Sequence, residues 1–136
     1  MLKRKAPLKR TTVRKPLRRV SLKRQRIMRK AGPWRDQYLA EHLACQFLGC
    51  VRLADDVHEI ARGSGGRARS LMEPAALLCL CREHHEIVQL WSPVQQLCLK
   101  KIVAPEEYCL ETVNRLRGRA AGAIDEADIR NEMRNI

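Results

Sequence analysis

The side chains best suited to chemistry are concentrated in two short segments of the sequence. The first contains Cys45, Cys50 and the run Val57-His58-Glu59-Ile60, and the second is Leu80-Cys81-Arg82-Glu83-His84-His85. Together these segments hold three of the four histidines and three of the six cysteines of the chain. Because thiolates and imidazoles are the ligands that zinc prefers, the pattern indicates a small metal-built site.

A tetrahedral zinc site can take one ligand pair from a turn and a second pair from the start of a helix. The Cys-x4-Cys spacing of Cys45 and Cys50 suits the turn, and the Cys-x-x-His spacing of Cys81 and His84 suits the helix. We therefore predict that these residues hold a structural zinc ion. Two other side chains are near enough in sequence to replace a member of this set: His42 and Cys79.

A competing interpretation is that the cysteines are small buried hydrophobic residues. It suits the cysteines outside the predicted ligand set, which are Cys79, Cys98 and Cys109. For the set itself, the small core argues against it. Residues 31–92 contain four aromatic side chains, and a unit of about 60 residues usually needs a metal or disulfides to fold stably.

His85 raises the prospect of a second metal site. Neighbouring residues on a helix point about 100° apart, so His85 cannot face the zinc ion if His84 does. We expect His85 to face the strand that carries His58 and Glu59. Two imidazoles and a carboxylate could hold a divalent ion there and activate water for attack on a phosphodiester.

The net positive charge of the chain comes from its beginning. Residues 1–30 hold 14 of the 27 lysines and arginines and no acidic residue, although the net charge of the whole chain is +12. A basic segment without aromatic or acidic residues is expected to stay extended and to bind a polyanion through counterion release. We predict a nucleic acid as the partner, with the main contacts at Lys9, Arg10, Arg18, Arg19, Lys23, Arg24 and, in a Gly-rich loop, Arg62 and Arg67. The alternatives are a solvated, protease-sensitive tail and a tail that binds an acidic protein or an anionic membrane surface.

No run of the sequence is apolar enough for a signal peptide or a membrane span. We therefore expect a cytoplasmic protein with reduced thiols. The predicted organisation is a disordered tail over residues 1–32, a zinc domain over 33–92 and a helical extension over 93–136. Capping and turn residues predict the following elements: a helix over 37–44 that Asp36 caps, a strand-turn-strand over 51–60, and helices that begin near Cys81, Ser92, Ala104 and Asp125.

The set of motifs resembles the HNH endonucleases, particularly the zinc-bearing forms of bacteriophages and related recombination proteins. The resemblance covers residues 34–90 and rests on the two cysteine-histidine segments, the Gly-rich loop and Tyr38-Leu39-Ala40. It implies an α+β, ββα-metal fold with a treble-clef-like zinc site and single-metal DNA cleavage. A bacterial host cell and phage or recombination proteins as partners are implied in the same way.

The resemblance also implies roles for individual residues. His58 takes the place of the strand ligand, Glu59 that of the general base and His85 that of the helix ligand. The usual base is histidine, so the opposite assignment, with His58 as base and Glu59 as ligand, stays open. Two further positions depart from the family pattern: Ala76 stands where asparagine is expected, and Gln89 stands where some members have a further histidine.

Two classes of function follow. In the first, the protein is a DNA endonuclease that uses Mg²⁺ or another divalent ion, with His58 or Glu59 activating water and Arg62 or Arg67 steadying the DNA backbone. In the second, it is a zinc-stabilised DNA-binding or recruiting module without catalysis. RNA binding through the tail alone is disfavoured, because the sequence shows no aromatic platform for base stacking.

Overall fold

The computed structural model describes residues 21–60 and 70–136. The helices and strands with described bounds are α1 (Leu22–Glu41), β1 (Asp56–Glu59), β2 (Leu77–Leu80), α2 (Arg82–Val88), α3 (Pro93–Val103), α4 (Leu110–Arg117) and α5 (Glu126–Met133). Short 3-10 turns cover Pro74–Ala76 and Arg119–Ala121. The described part of the chain is thus a small α+β unit. None of its helices combines the length and the apolar character needed to cross a bilayer.

Helix α1 is much longer than the helix predicted over residues 37–44. It begins after Ser21, whose hydroxyl accepts a hydrogen bond from the Arg24 backbone at 3.2 Å, and it continues through Pro33. The predicted cap at Asp36 and the predicted end of the tail before Pro33 were therefore wrong, and residues 22–32 are helical. Ala31 and Tyr38 are buried on either side of Pro33, so packing holds the helix together where proline alone would favour a break.

The two strands form an antiparallel pair in which His58 lies opposite Leu78 and Glu59 lies opposite Leu77. Side chains alternate between the faces of a sheet. Leu77 belongs to a cluster with Tyr38 of α1, whereas Leu78 belongs to the main core with residues of α3. The sheet therefore lies between α1 on one side and α2 with α3 on the other.

Strand β1 does not form the strand-turn-strand predicted over residues 51–60. Instead, Ala44 and Leu53 make an isolated bridge, and β1 pairs with β2 beyond the Gly-rich segment. The chain between Cys50 and Cys81 thus contributes both strands of this sheet.

The C-terminal helices begin and end largely where capping residues predict. Ser92 and Asp125 each form a capping box, and Gly118 ends α4 with a left-handed φ of +79°. The helix expected near Ala104 is an exception, because α4 starts only after Cys109. The main core spans the predicted boundary at residue 92, since one cluster contains the following residues of both parts: Cys45, Leu80, Cys81, Leu97, Cys98, Val113 and Ile129.

Candidate metal centre and adjoining histidine pair

The structure brings Cys45, Cys50, Cys81 and His84 together. Their ligand atoms all lie within 4.8 Å of one another, and within residues 21–60 and 70–136 no other group of three or more His, Cys, Asp or Glu side chains meets this geometry. Two of the residues come from the turn before β1, and two come from the start of α2. This is the arrangement that the spacing predicts.

The distances within the cluster fit a tetrahedral metal. The Nδ1 atom of His84 lies 3.5 Å from the Sγ atom of Cys45 and 3.2 Å from that of Cys81. Ligand bonds of about 2.3 Å to sulfur and about 2.0 Å to nitrogen, at tetrahedral angles, place the two ligand atoms about 3.5 Å apart. The cluster can therefore hold a metal ion such as zinc with little rearrangement.

Two residues of the Cys45–Cys50 turn support the cluster and were missed in the sequence. The ring of Phe47 stacks on His84 with centroids 4.0 Å apart and planes 5° apart. Gln46 joins the turn to β2, since its backbone N–H donates to the Cys79 carbonyl and its side-chain oxygen accepts from the Cys79 N–H, both at 2.8 Å. Gly49 permits the tight turn through its φ of +75°.

The thiols of the cluster differ in acidity for local reasons. A hydrogen bond from the His84 backbone N–H lowers the pKa of Cys81, which lies just before the first turn of α2. Burial raises the pKa of Cys45 to about 11. Cys45 is therefore a thiol at neutral pH unless a cation stabilises its thiolate.

The two substitute ligands considered from the sequence lie elsewhere. His42 lies at the end of α1, where its Nδ1 donates to the Tyr38 carbonyl (2.8 Å) and its Nε2 lies 2.9 Å from a Glu107 carboxylate oxygen. Cys79 packs against Tyr38, and burial raises its pKa to about 12. Cys79 and Cys98 are buried as expected, but Cys109 is exposed, so its predicted place in the core was wrong.

A second cluster adjoins the first on α2. The rings of His58 and His85 meet edge to face with centroids 5.1 Å apart. Asp56 lies two residues before His58 on β1, and its carboxylate is 3.3 Å from Nδ1 of His85. Asp56 and His85 are about one-third and one-quarter exposed, whereas His58 is buried. An imidazole and a carboxylate thus lie at the surface, with a second imidazole beneath them.

Glu59 faces away from this histidine pair. It follows His58 on the strand and therefore points to the opposite face of the sheet. Its carboxylate forms an ion pair with Arg35 of α1 at 3.1 Å. Arg35 also donates to the backbone carbonyls of Val57 and Leu71 at 2.8 and 3.2 Å. The expected grouping of His58, Glu59 and His85 in one site is thus divided between two faces.

The sequence also missed Gln96, a buried residue of α3. Its side-chain oxygen lies 2.8 Å from Nε2 of His58, and its amide nitrogen donates to the Trp91 carbonyl at 2.9 Å. Helix α3, which the sequence predicts only as part of a helical extension, therefore contributes to the surroundings of the histidine pair. A lone glutamine at the start of a capped helix carries no signal that could have revealed this contact.

Only part of the predicted DNA interface can be placed. Lys23 and Arg24 are exposed on α1. The remaining predicted contacts lie outside the described residues: Lys9, Arg10, Arg18, Arg19, Arg62 and Arg67.

Comparison with known proteins adds no relative. No family model matches the chain, and neither a curated protein nor a solved structure matches it.

Proposed function

We propose that this protein is a metal-dependent DNA endonuclease of the HNH type, with a structural zinc ion at Cys45, Cys50, Cys81 and His84. The observation that supports this proposal best is the juxtaposition of His58 and His85 beside the thiol cluster. A module that only binds zinc and DNA has no need of an imidazole pair beside its zinc site. Helix α2 serves both clusters, since His84 faces the thiols and His85 faces β1.

We assign the residues of the second cluster by exposure. Asp56 and His85 lie at the surface and would hold a divalent ion such as Mg²⁺, which polarises a scissile phosphate when bound. His58, one layer deeper, would accept the proton of the attacking water. The water oxygen then bonds to phosphorus, the bond from phosphorus to the 3′ oxygen breaks, and that oxygen takes a proton from solvent.

Glu59 has a different role in this proposal. A carboxylate that is paired with Arg35 and lies on the opposite face of the sheet is poorly placed to activate the same water. It would instead fix β1 against α1, because Arg35 also binds the backbone of the strand. In this proposal the base is therefore His58 and not Glu59.

The DNA-binding part of the proposal rests on the first half of α1. Residues 22–30 are exposed except for half-buried Ile27, and this stretch carries Lys23, Arg24, Arg26, Arg29 and Lys30. No acidic residue occurs between Ser21 and Arg35. Ile27, Ala31 and Tyr38 share the face toward the core, so most of the cations face outward. Such a helix offers a row of positive charges to the phosphates of a duplex.

A plasmid-nicking assay tests the proposal. Purified protein should relax supercoiled plasmid in the presence of magnesium, manganese or nickel, and His85→Ala should abolish the activity. Glu86→Ala is the matched control, because Glu86 is the next residue on α2 and is exposed. Failure of the wild type to nick with any of the three ions would refute the endonuclease.

The second candidate is a zinc-stabilised DNA-binding module without catalysis. The observation that favours it is the Arg35–Glu59 ion pair, which removes the carboxylate expected as base from the histidine pair. This module would bind duplex DNA with the same salt dependence but would leave plasmid intact. The nicking assay and a binding titration on the same preparation therefore separate the two candidates.

A further inference from the structure

The amide of Gln96 is held in one orientation by its two partners. Its nitrogen faces the Trp91 carbonyl at 2.9 Å, and a carbonyl can only accept a hydrogen bond. The oxygen of the amide must then face His58, whose Nε2 lies 2.8 Å away. Because both ends of the amide are fixed, the usual ambiguity between its oxygen and its nitrogen does not arise here.

This orientation has a consequence for His58. An amide oxygen accepts hydrogen bonds but cannot donate them, so Nε2 of His58 must carry a proton. In a neutral imidazole with Nε2 protonated, the lone pair is on Nδ1. From this geometry we infer that Gln96 is a positioning residue, which fixes the proton of His58 on Nε2 and so leaves the lone pair of the neutral ring on Nδ1.

The role of Gln96 in catalysis rests on the proposed function, whereas the tautomer of His58 does not depend on that function. Gln96 suits this role because it is buried and rigidly anchored. It lies in the first turns of α3, where Ser92 caps the helix and its carbonyl accepts the Gln96 backbone N–H at 3.0 Å. The side chain reaches His58 across 38 residues of sequence, so α3 must dock on the sheet for the tautomer to be fixed.

The test is the tautomer of His58, read from the ¹⁵N chemical shifts of its ring at a single neutral pH. The chain has four histidines, so each ring can be assigned through its own backbone. The wild type should show His58 protonated on Nε2. A ring protonated on Nδ1, with the lone pair on Nε2, would overturn the inference even if no variant folds.

Variants then test whether Gln96 is responsible. Gln96→Met removes the acceptor and should convert His58 to a mixture of tautomers, whereas Gln96→Glu keeps an oxygen acceptor and should retain the Nε2–H form. Gln89→Met, the same change at an exposed position of the neighbouring helix end, should leave the spectrum as in the wild type. An unchanged tautomer in folded Gln96→Met would show that another contact fixes the proton.

Kinetics give a second readout. Loss of a residue that orients a catalytic group typically costs about 10- to 100-fold in activity. Gln96→Met should therefore lower kcat of plasmid nicking by about that factor and leave KM within about twofold, because the DNA-binding face of α1 is untouched. An increase in KM with an unchanged kcat would contradict the positioning role. If the wild type does not nick at all, the proposed function fails, but the tautomer measurement still decides the inference.

Discussion

Replacing Glu107 with glutamine should destabilise the protein far more than the loss of an ordinary ion pair. The Lys100 side chain is fully buried, and its ammonium group donates to Glu107 at 2.5 Å and to the Leu77 carbonyl at 2.8 Å. Glu107 also accepts from Tyr38 at 2.7 Å and bonds His42 at 2.9 Å. This junction connects α1, β2 and α3 with the turn that carries Glu107.

The expected loss of folding stability depends on which charged group stays buried without its partner. Glu107→Gln leaves the Lys100 ammonium buried without its counter-charge, and such a loss costs about 3–5 kcal/mol. Glu107 is 17% exposed, so water compensates in part and the lower end, about 3 kcal/mol, is expected. That is about a hundredfold in the folding equilibrium. Lys100→Met removes the buried charge itself and should cost about 1 kcal/mol, since Tyr38 and His42 still satisfy Glu107.

The assay is urea unfolding of the full-length chain followed by circular dichroism, with the same excess of zinc in every sample so that metal binding contributes equally. The double variant Lys100→Met/Glu107→Gln should be about as stable as Lys100→Met alone, because it no longer buries an unpaired ammonium group. The matched control is the neighbouring pair Lys101 and Glu126, which has a contact of 2.9 Å but is 32% and 48% exposed. Loss of that pair should cost less than about 1 kcal/mol. Equal losses for Glu107→Gln and Glu126→Gln would refute the reasoning.

Further predictions concern the metal, the DNA and pH. If zinc occupies the thiol cluster, a chelator should unfold the protein. Cys81→Ser should fold poorly, whereas Cys109→Ser, at an exposed position, should resemble the wild type; similar behaviour of the two variants in a thermal melt would exclude the ligand set. Lys23→Gln should reduce the slope of log affinity for duplex DNA against log salt by about 0.9, and an unchanged slope would place the interface elsewhere. Burial by itself would raise the pKa of Glu107. Its hydrogen bonds and nearby positive charges, of which the hydrogen bond from Lys100 is the largest, outweigh burial and lower the pKa below the ordinary 4.5. Its contribution to stability should therefore be complete above about pH 4.5 and disappear as the pH falls through the lower folded value, which titration of the unfolding midpoint of wild type against Glu107→Gln will show.

The sequence alone was sufficient for the candidate metal centre, because each half of it is local. Cys45 and Cys50 are joined by one turn, and Cys81 and His84 by the first turn of a helix, so their spacing determines their separation. The capped starts of α3 and α5 are local in the same sense. That the two halves meet was also predictable, since the chain between them has the length and the residues for two paired strands.

The tertiary structure decided what lies on each face of β1. Strand alternation requires His58 and Glu59 to point apart, but only the docking of α1 gives Glu59 its arginine, and only the docking of α3 gives His58 its glutamine. Arg35 and Gln96 lie 24 and 38 residues from their partners, and no periodicity or spacing encodes such contacts.

Helix α1 shows the same division most clearly. Its sequence contains Gly32-Pro33, which by local preference ends a helix, and the basic composition of the residues before it predicted an extended tail. The helix persists because Ala31 and Tyr38 are buried on one face, and burial of that face outweighs one lost backbone hydrogen bond. Local chemistry therefore determined the ligands, the caps and the charge, whereas packing between distant segments determined the course of α1 and the surroundings of the histidine pair.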